Sequence, residues 1–218
     1  MIATRYEFAS RDKLATQLAN DVATVLHASV VAKGAATLAI SGGTTPTLFF
    51  EKLSRLDIPW ARITVTLVDE RLVSESSMRS NARLVRTSLM QNKAAVARFV
   101  PLFNNPEASQ LDRFDAVVLG MGIDGHTASF FPAGDRLAEA LDPATPLRLV
   151  EMNAPGAGEP RLTFTLPILL ASGCIALHIE GREKRAVLDA ALEDGPIEDM
   201  PIRAFLRAKA PIILYWCP

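Results

Sequence analysis

The chain has 218 residues, of which 49% are hydrophobic and 22% charged, enough for one globular α/β domain spanning 1–218 with a sizeable core. Its 23 Lys and Arg against 24 Asp and Glu leave a formal net charge of -1, which argues against a general binder of nucleic acid or membrane surface and points to small-molecule partners. Two cysteines, Cys174 and Cys217, stand outside any CxxC pair or metal-like cluster; the N-terminus lacks a signal-peptide core, and no run approaches the roughly 20 apolar residues of a membrane span, so the expected setting is reducing and cytoplasmic.

In chain order, an edge strand is predicted over 5–8, followed by a helix over 10–31 capped by Ser10, because Leu14, Leu18, Val22, Val25 and Leu26 recur at helical spacing. A buried strand over 37–40 runs into Ser41-Gly42-Gly43-Thr44-Thr45-Pro46, and a helix through Leu48, Phe49 and Leu53 follows with Pro46 suited to its first turn. Further strands are predicted over 63–68, 114–119, 147–152, 161–164, 174–180 and 211–216, with a helix over 183–192 and a Pro/Gly-rich loop over 153–160. Short apolar strands alternating with longer helical patterns, without repeats or a dividing linker, predict a doubly wound, mostly parallel Rossmann-like sheet with helices on both faces.

Three segments put glycine or polar residues directly after a predicted parallel strand, the edge where open α/β sheets bind ligands. In Ser41 to Pro46, paired glycines let the backbone approach an anion while helix-terminal N–H groups face it, and phosphate is the obvious anion. The alternative is an ordinary tight turn with Thr44 or Thr45 as helix cap; a Walker A loop is excluded because no Gly-Lys-Ser/Thr follows. In Val68-Asp69-Glu70-Arg71, two acids and a base abut a strand end, with Arg79, Ser80 and Asn81 downstream; this is either a substrate-positioning cluster or a solvated acidic loop paired with Arg71.

The third segment, Gly120-Met121-Gly122-Ile123-Asp124-Gly125-His126-Thr127, satisfies G-x-G-x-x-G literally. A dinucleotide fingerprint must open a helix long enough to cross the sheet, yet Pro132 follows too closely. The glycines are better read as shaping a loop that presents His126 as a general base, with Asp124 to orient it. His27, in a polar stretch of the first helix, and His178, alternating within a strand, read as core or surface histidines. Arg161 at a strand start and Lys184 near a helix start are cations able to reach a phosphate held by the first loop.

SGGTTP, VDER and GMGIDGHTASFFP, with RLTFTLP and EGREKR after them, in this order and across nearly the whole chain, resemble the glucosamine-6-phosphate isomerase/6-phosphogluconolactonase family. The resemblance implies a Rossmann-like sheet, no metal or cofactor, and hydrolysis of 6-phospho-D-glucono-1,5-lactone to 6-phosphogluconate in the pentose phosphate pathway by a monomer or homodimer. It also implies that Ser41, Gly42, Gly43 and Thr44 hold the phosphate with Arg161 and Lys184, while Asp69, Arg71 and Asp124 line the sugar and lactone end. The deaminase branch differs: it carries a glutamate where Phe131 stands and Asp-Glu-Tyr where this chain has Asp-Glu-Arg. A phosphosugar-binding sensor without turnover is the remaining alternative, opposed by the retained Asp124 and His126 and by the lack of room for an output domain. A serine-elbow or cysteine hydrolase is disfavoured, since there is no Gly-x-Ser-x-Gly and neither cysteine stands in a motif that pairs it with a histidine.

Overall fold

The computed structural model describes residues 2–218. Strand β1 (Ile2–Glu7) leads into helix α1 (Arg11–Lys33), whose Ser10 cap accepts from the Lys13 amide and whose face of Leu14, Leu18, Val22 and Leu26 is buried. Strand β2 (Ala36–Ile40), helix α2 (Thr47–Ser54) and strand β3 (Ile63–Leu67) follow, and Pro46 sits at the α2 cap position, one residue before the expected first turn. After them come β4 (Asp69–Arg71), α3 (Asn81–Ser88), β5 (Arg98–Val100), β6 (Ala116–Leu119), α4 (Leu137–Leu141), β7 (Leu149–Met152) and β8 (Arg161–Phe164). Helix α5 (Leu166–Leu170), β9 (Ile175–Glu180), α6 (Arg182–Leu192), α7 (Ile202–Arg207) and β10 (Ile212–Cys217) complete the chain.

Seven strands form one parallel sheet in the order β1-β10-β9-β6-β2-β3-β5. β6 is buried at every position, as a strand covered on both faces must be, and the sheet and its helices share one hydrophobic cluster. From β2 the chain steps outward to β3 and β5, then returns to the other side of β2 as β6 and continues to β9 and β10. That reversal makes the β2/β6 boundary a topological switch point, where the connections leave in opposite directions and a crevice opens beyond the strand ends.

The predicted strands over 147–152 and 161–164 form, but not in the parallel sheet. β7 and β8 pair antiparallel with each other, and β8 pairs antiparallel with β4. Val68 joins the two sheets: its N–H donates to Ile40 at 2.9 Å and its carbonyl accepts from Phe164 at 3.0 Å. The 161–164 strand therefore brings Arg161 beside Arg71, its register partner, over the carboxyl edge of the main sheet. Among the described residues no helix is long and apolar enough to cross a membrane.

Candidate active site

Four adjacent strands of the main sheet, β9, β6, β2 and β3, end at one crevice of about 290 Å³. Its wall includes Ser41, Gly42, Gly43 and Thr44 after β2, Asp69 and Arg71 after β3, His126 after β6, Arg161 on β8 and Lys184 on α6. Each of these was a sequence candidate, and the structure brings them together.

The loop after β2 is shaped by contacts within the crevice. Gly43 has φ +89°, a conformation that a side chain rarely adopts, and nothing lies within 4 Å of where its Cβ would be, so its open side can receive a ligand. Gly42 is packed so closely on Asn81 that a Cβ there would overlap the side-chain amide. The Ser41 oxygen accepts the Gly120 N–H at 3.0 Å and ties the first loop to the third, which leaves its O–H free to donate in the crevice wall.

The third loop is a closed turn. Gly122 N–H donates to the His126 carbonyl at 2.9 Å, Gly125 N–H donates to the Gly122 carbonyl at 3.1 Å, and the Thr127 hydroxyl donates to the Gly120 carbonyl at 2.7 Å. The first helix after it is α4, so no crossover helix follows the glycines and the dinucleotide reading stays rejected. His126 Nδ1 lies 2.5 Å from Asp124 Oδ1, which also accepts the His126 backbone N–H at 3.1 Å. Because an ionised carboxylate only accepts, Nδ1 carries a proton, which in the neutral ring leaves the lone pair on Nε2; Nε2 has no partner among the described residues. Burial pushes the Asp124 carboxyl up, but the hydrogen bond and charge of His126, with nearby backbone N–H groups, outweigh it and hold Asp124 below the ordinary carboxylate range. The second Asp124 oxygen, Oδ2, lies 3.7 Å from where a Cβ on Gly156 of the crevice wall would be, so the carboxylate that orients the imidazole stays at the rim of the crevice. Any Cβ at position 122 would overlap the imidazole, so the ring's place depends on that glycine.

Phe131 stacks on His126 with ring centroids 4.3 Å apart and 29° between planes, while the Arg161 guanidinium lies 5.3 Å above the same ring. The sequence marked Phe131 only as a missing acid; here it is the plate that sets the imidazole and guanidinium. Arg161 is further fixed by donating from Nη2 to the Ala157 carbonyl at 2.7 Å, and its Nη1 lies 3.9 Å from Asp69.

The second motif is neither solvated nor a loop. Asp69 and Glu70 are buried, and Asp69 accepts the Ser129 hydroxyl at 2.6 Å. Glu70 accepts N–H bonds from Arg71 at 2.7 Å, Asn81 at 2.8 Å and Ala82 at 2.7 Å, as well as the Ser80 hydroxyl at 3.2 Å. It thus caps the start of α3 from another element, and burial pushes its carboxyl above the usual range against the pull of those donors. Glu70→Ala would strand several buried N–H groups, so unfolding in urea is expected to show a loss of about 2–4 kcal/mol. A loss within about 0.5 kcal/mol, the usual range for surface changes, would refute this capping role.

Arg71 pairs with neither acid through its guanidinium. Nη1 donates to the Arg79 carbonyl at 2.5 Å and to Asn81 Oδ1 at 3.0 Å, whereas buried Nε has no protein partner among the described residues. An unsatisfied buried donor on a crevice wall is a place for a ligand acceptor. Lys184 likewise has no hydrogen-bond or ion-pair partner among the described residues; burial pushes its ammonium pKa down, and Glu180 and Glu183 only partly restore it. Asn81, Thr127, Gly156 and His178 also line the crevice; the sequence placed Asn81 and Thr127 in their motifs without a role, read His178 as a core or surface histidine and Gly156 only as part of a loop, because each reaches the crevice through tertiary placement.

Fold and site define the class first: a Rossmann-like α/β protein whose polar groups converge on the switch point of its parallel sheet. The chain belongs to the family described as glucosamine-6-phosphate isomerases/6-phosphogluconolactonase, whose profile matches residues 9–214. It is 49% identical to a 6-phosphogluconolactonase of Rhizobium meliloti (strain 1021), covering 100% of both chains, and 49% identical to one of Mesorhizobium japonicum, covering 97% of this chain and 94% of that one. The crystal structure of a 6-phosphogluconolactonase from Shewanella baltica OS155 superposes with a TM-score of 0.94 at 38% identity, covering 99% of this chain and 97% of that one.

Proposed function

We propose that the chain is an enzyme that hydrolyses 6-phospho-D-glucono-1,5-lactone to 6-phosphogluconate, within the pentose phosphate pathway. Full-length identity to relatives of that name supports the reading. The observation that carries the chemistry is the His126 imidazole, with Nδ1 bound to Asp124 and Nε2 unpartnered in the crevice wall.

In this mechanism His126 Nε2 takes a proton from water, and the resulting hydroxide attacks the lactone carbonyl. The Asp124 carboxylate steadies the imidazolium, and its depressed pKa keeps it charged for that task. Arg71, whose Nε lacks a protein acceptor, or the Gly42–Gly43 backbone stabilises the tetrahedral oxyanion. Collapse expels the ring oxygen, which leaves as the C5 hydroxyl after receiving the proton from His126. Gly42, Gly43, Thr44, Arg161 and Lys184 hold the phosphate, and Asp69 is placed for the sugar. No step calls for a metal or cofactor, and the partner is the phosphosugar lactone.

A deaminase needs a further acid for proton shuttling, and the Phe131 ring against His126 occupies the position where that branch carries glutamate. The test is to present 6-phosphogluconolactone and glucosamine 6-phosphate to the same purified protein. Acid release from the first without ammonia from the second is expected; the reverse pattern overturns the reading, and turnover of neither favours the non-catalytic sensor.

A further inference from the structure

β9 carries an imidazole that the proposed reaction leaves unused. His178 is 2% exposed, yet it lines the same crevice as Thr44, Thr45, Pro46 and Lys184. Its ring lies edge-on to Phe49 of α2, with centroids 6.3 Å apart. Nε2 is 3.1 Å from Glu180 Oε1, and the other Glu180 oxygen accepts from Arg11 Nε at 2.5 Å. Nδ1 has no hydrogen-bond partner among the described residues. A histidine serving only the core normally satisfies its buried polar atoms, so an open nitrogen in a polar crevice marks a ligand contact.

The strand period explains the arrangement. His178 and Glu180 are two apart on β9 and share a face, and Lys184 follows on the first turn of α6. Burial pushes the Glu180 carboxyl up, but the hydrogen bond and charge of His178, with those of Arg11, hold it below its usual range. Glu180 therefore remains an anion that can hold an imidazolium on one side while Arg11 neutralises it on the other.

Resting on the functional reading above, we propose that His178, oriented by Glu180 and Arg11, is a further phosphate-binding residue that donates from Nδ1 to the substrate's phosphate beside Lys184. With Nε2–H donated to Glu180, Nδ1 donates as part of an imidazolium, the cation that the Glu180 carboxylate stands ready to hold. The charged groups around the ring are Glu180, Arg11 and Lys184, with Glu183 acting on Lys184; Phe49 adds an apolar wall.

The test is calorimetric titration of the whole protein with inorganic phosphate. His178→Gln, which keeps a polar side chain but cannot become a cation, is expected to bind phosphate about tenfold to a hundredfold more weakly than the wild type. In parallel, the ratio of kcat/KM for the phosphorylated lactone over unphosphorylated gluconolactone should fall by a similar factor. Glu180→Gln supplies a second variant should His178→Gln fold poorly, and it too should weaken phosphate binding. Unchanged phosphate affinity in the variants would overturn the assignment, as would a wild type that does not bind phosphate. A wild type that binds phosphate but turns over neither lactone counts against the catalytic reading alone, because the titration requires no turnover.

Discussion

Replacing His126 by alanine is expected to lower kcat by about 10²- to 10⁴-fold while leaving KM within a few-fold of wild type. That range corresponds to about 3–5 kcal/mol of lost transition-state stabilisation, the amount a positioned general base supplies. The split between the two constants follows from geometry: His126 approaches the crevice from the loop after β6, whereas the proposed phosphate holders come from the β2 loop, β8 and α6. Steady-state kinetics on the phosphorylated lactone reads the effect directly. Turnover within threefold of wild type would remove His126 from the mechanism, and a rise in KM alone would make it a binding residue.

The parts of this site that depend on local sequence were legible without coordinates. A glycine loop after a β-branched strand and the Asp-Gly-His turn are local devices, so their residues announced both their conformation and their place at the strand ends. Ser10 likewise announced the start of α1. β4 could not be read in this way. Asp69, Glu70 and Arg71 have poor strand propensity, and they become a strand only because β8 pairs with them from some ninety residues away. Helix α3 was missed although Ser80 caps it locally, accepting the Arg83 N–H at 3.2 Å; its N–H groups on Asn81 and Ala82 are satisfied from a distance by Glu70. The antiparallel second sheet shows why strand pattern alone predicts existence better than pairing, since β7 and β8 appeared in the right places with the wrong partners. His178 failed to stand out for a related reason. One polar residue in a buried strand reads as core until the neighbouring loops make that face part of a crevice.

Removing the Lys184 ammonium is expected to raise KM by about 30-fold or more and to leave kcat much less affected, because a cation meeting a phosphate in a partly buried site is worth at least about 2 kcal/mol. A methionine is the better replacement, since it fills nearly the same volume without the charge. The same variant makes an opposite prediction for the empty protein. Burial holds the pKa of Lys184 below its ordinary value of 10.5, so the fold disfavours the ammonium relative to the unfolded chain. For a lysine depressed in this sense, the penalty on folding is present at neutral pH and disappears only as pH rises through the folded and then the unfolded pKa. Lys184→Met is therefore expected to keep or raise the melting temperature at neutral pH in the absence of phosphate, while its melting temperature responds less to added phosphate than that of the wild type. Weakened binding with intact or improved stability would identify Lys184 as a charge held uncompensated for the ligand. Lower stability in the empty protein with an unaltered phosphate response would instead make the side chain structural and dismiss it from the anion site.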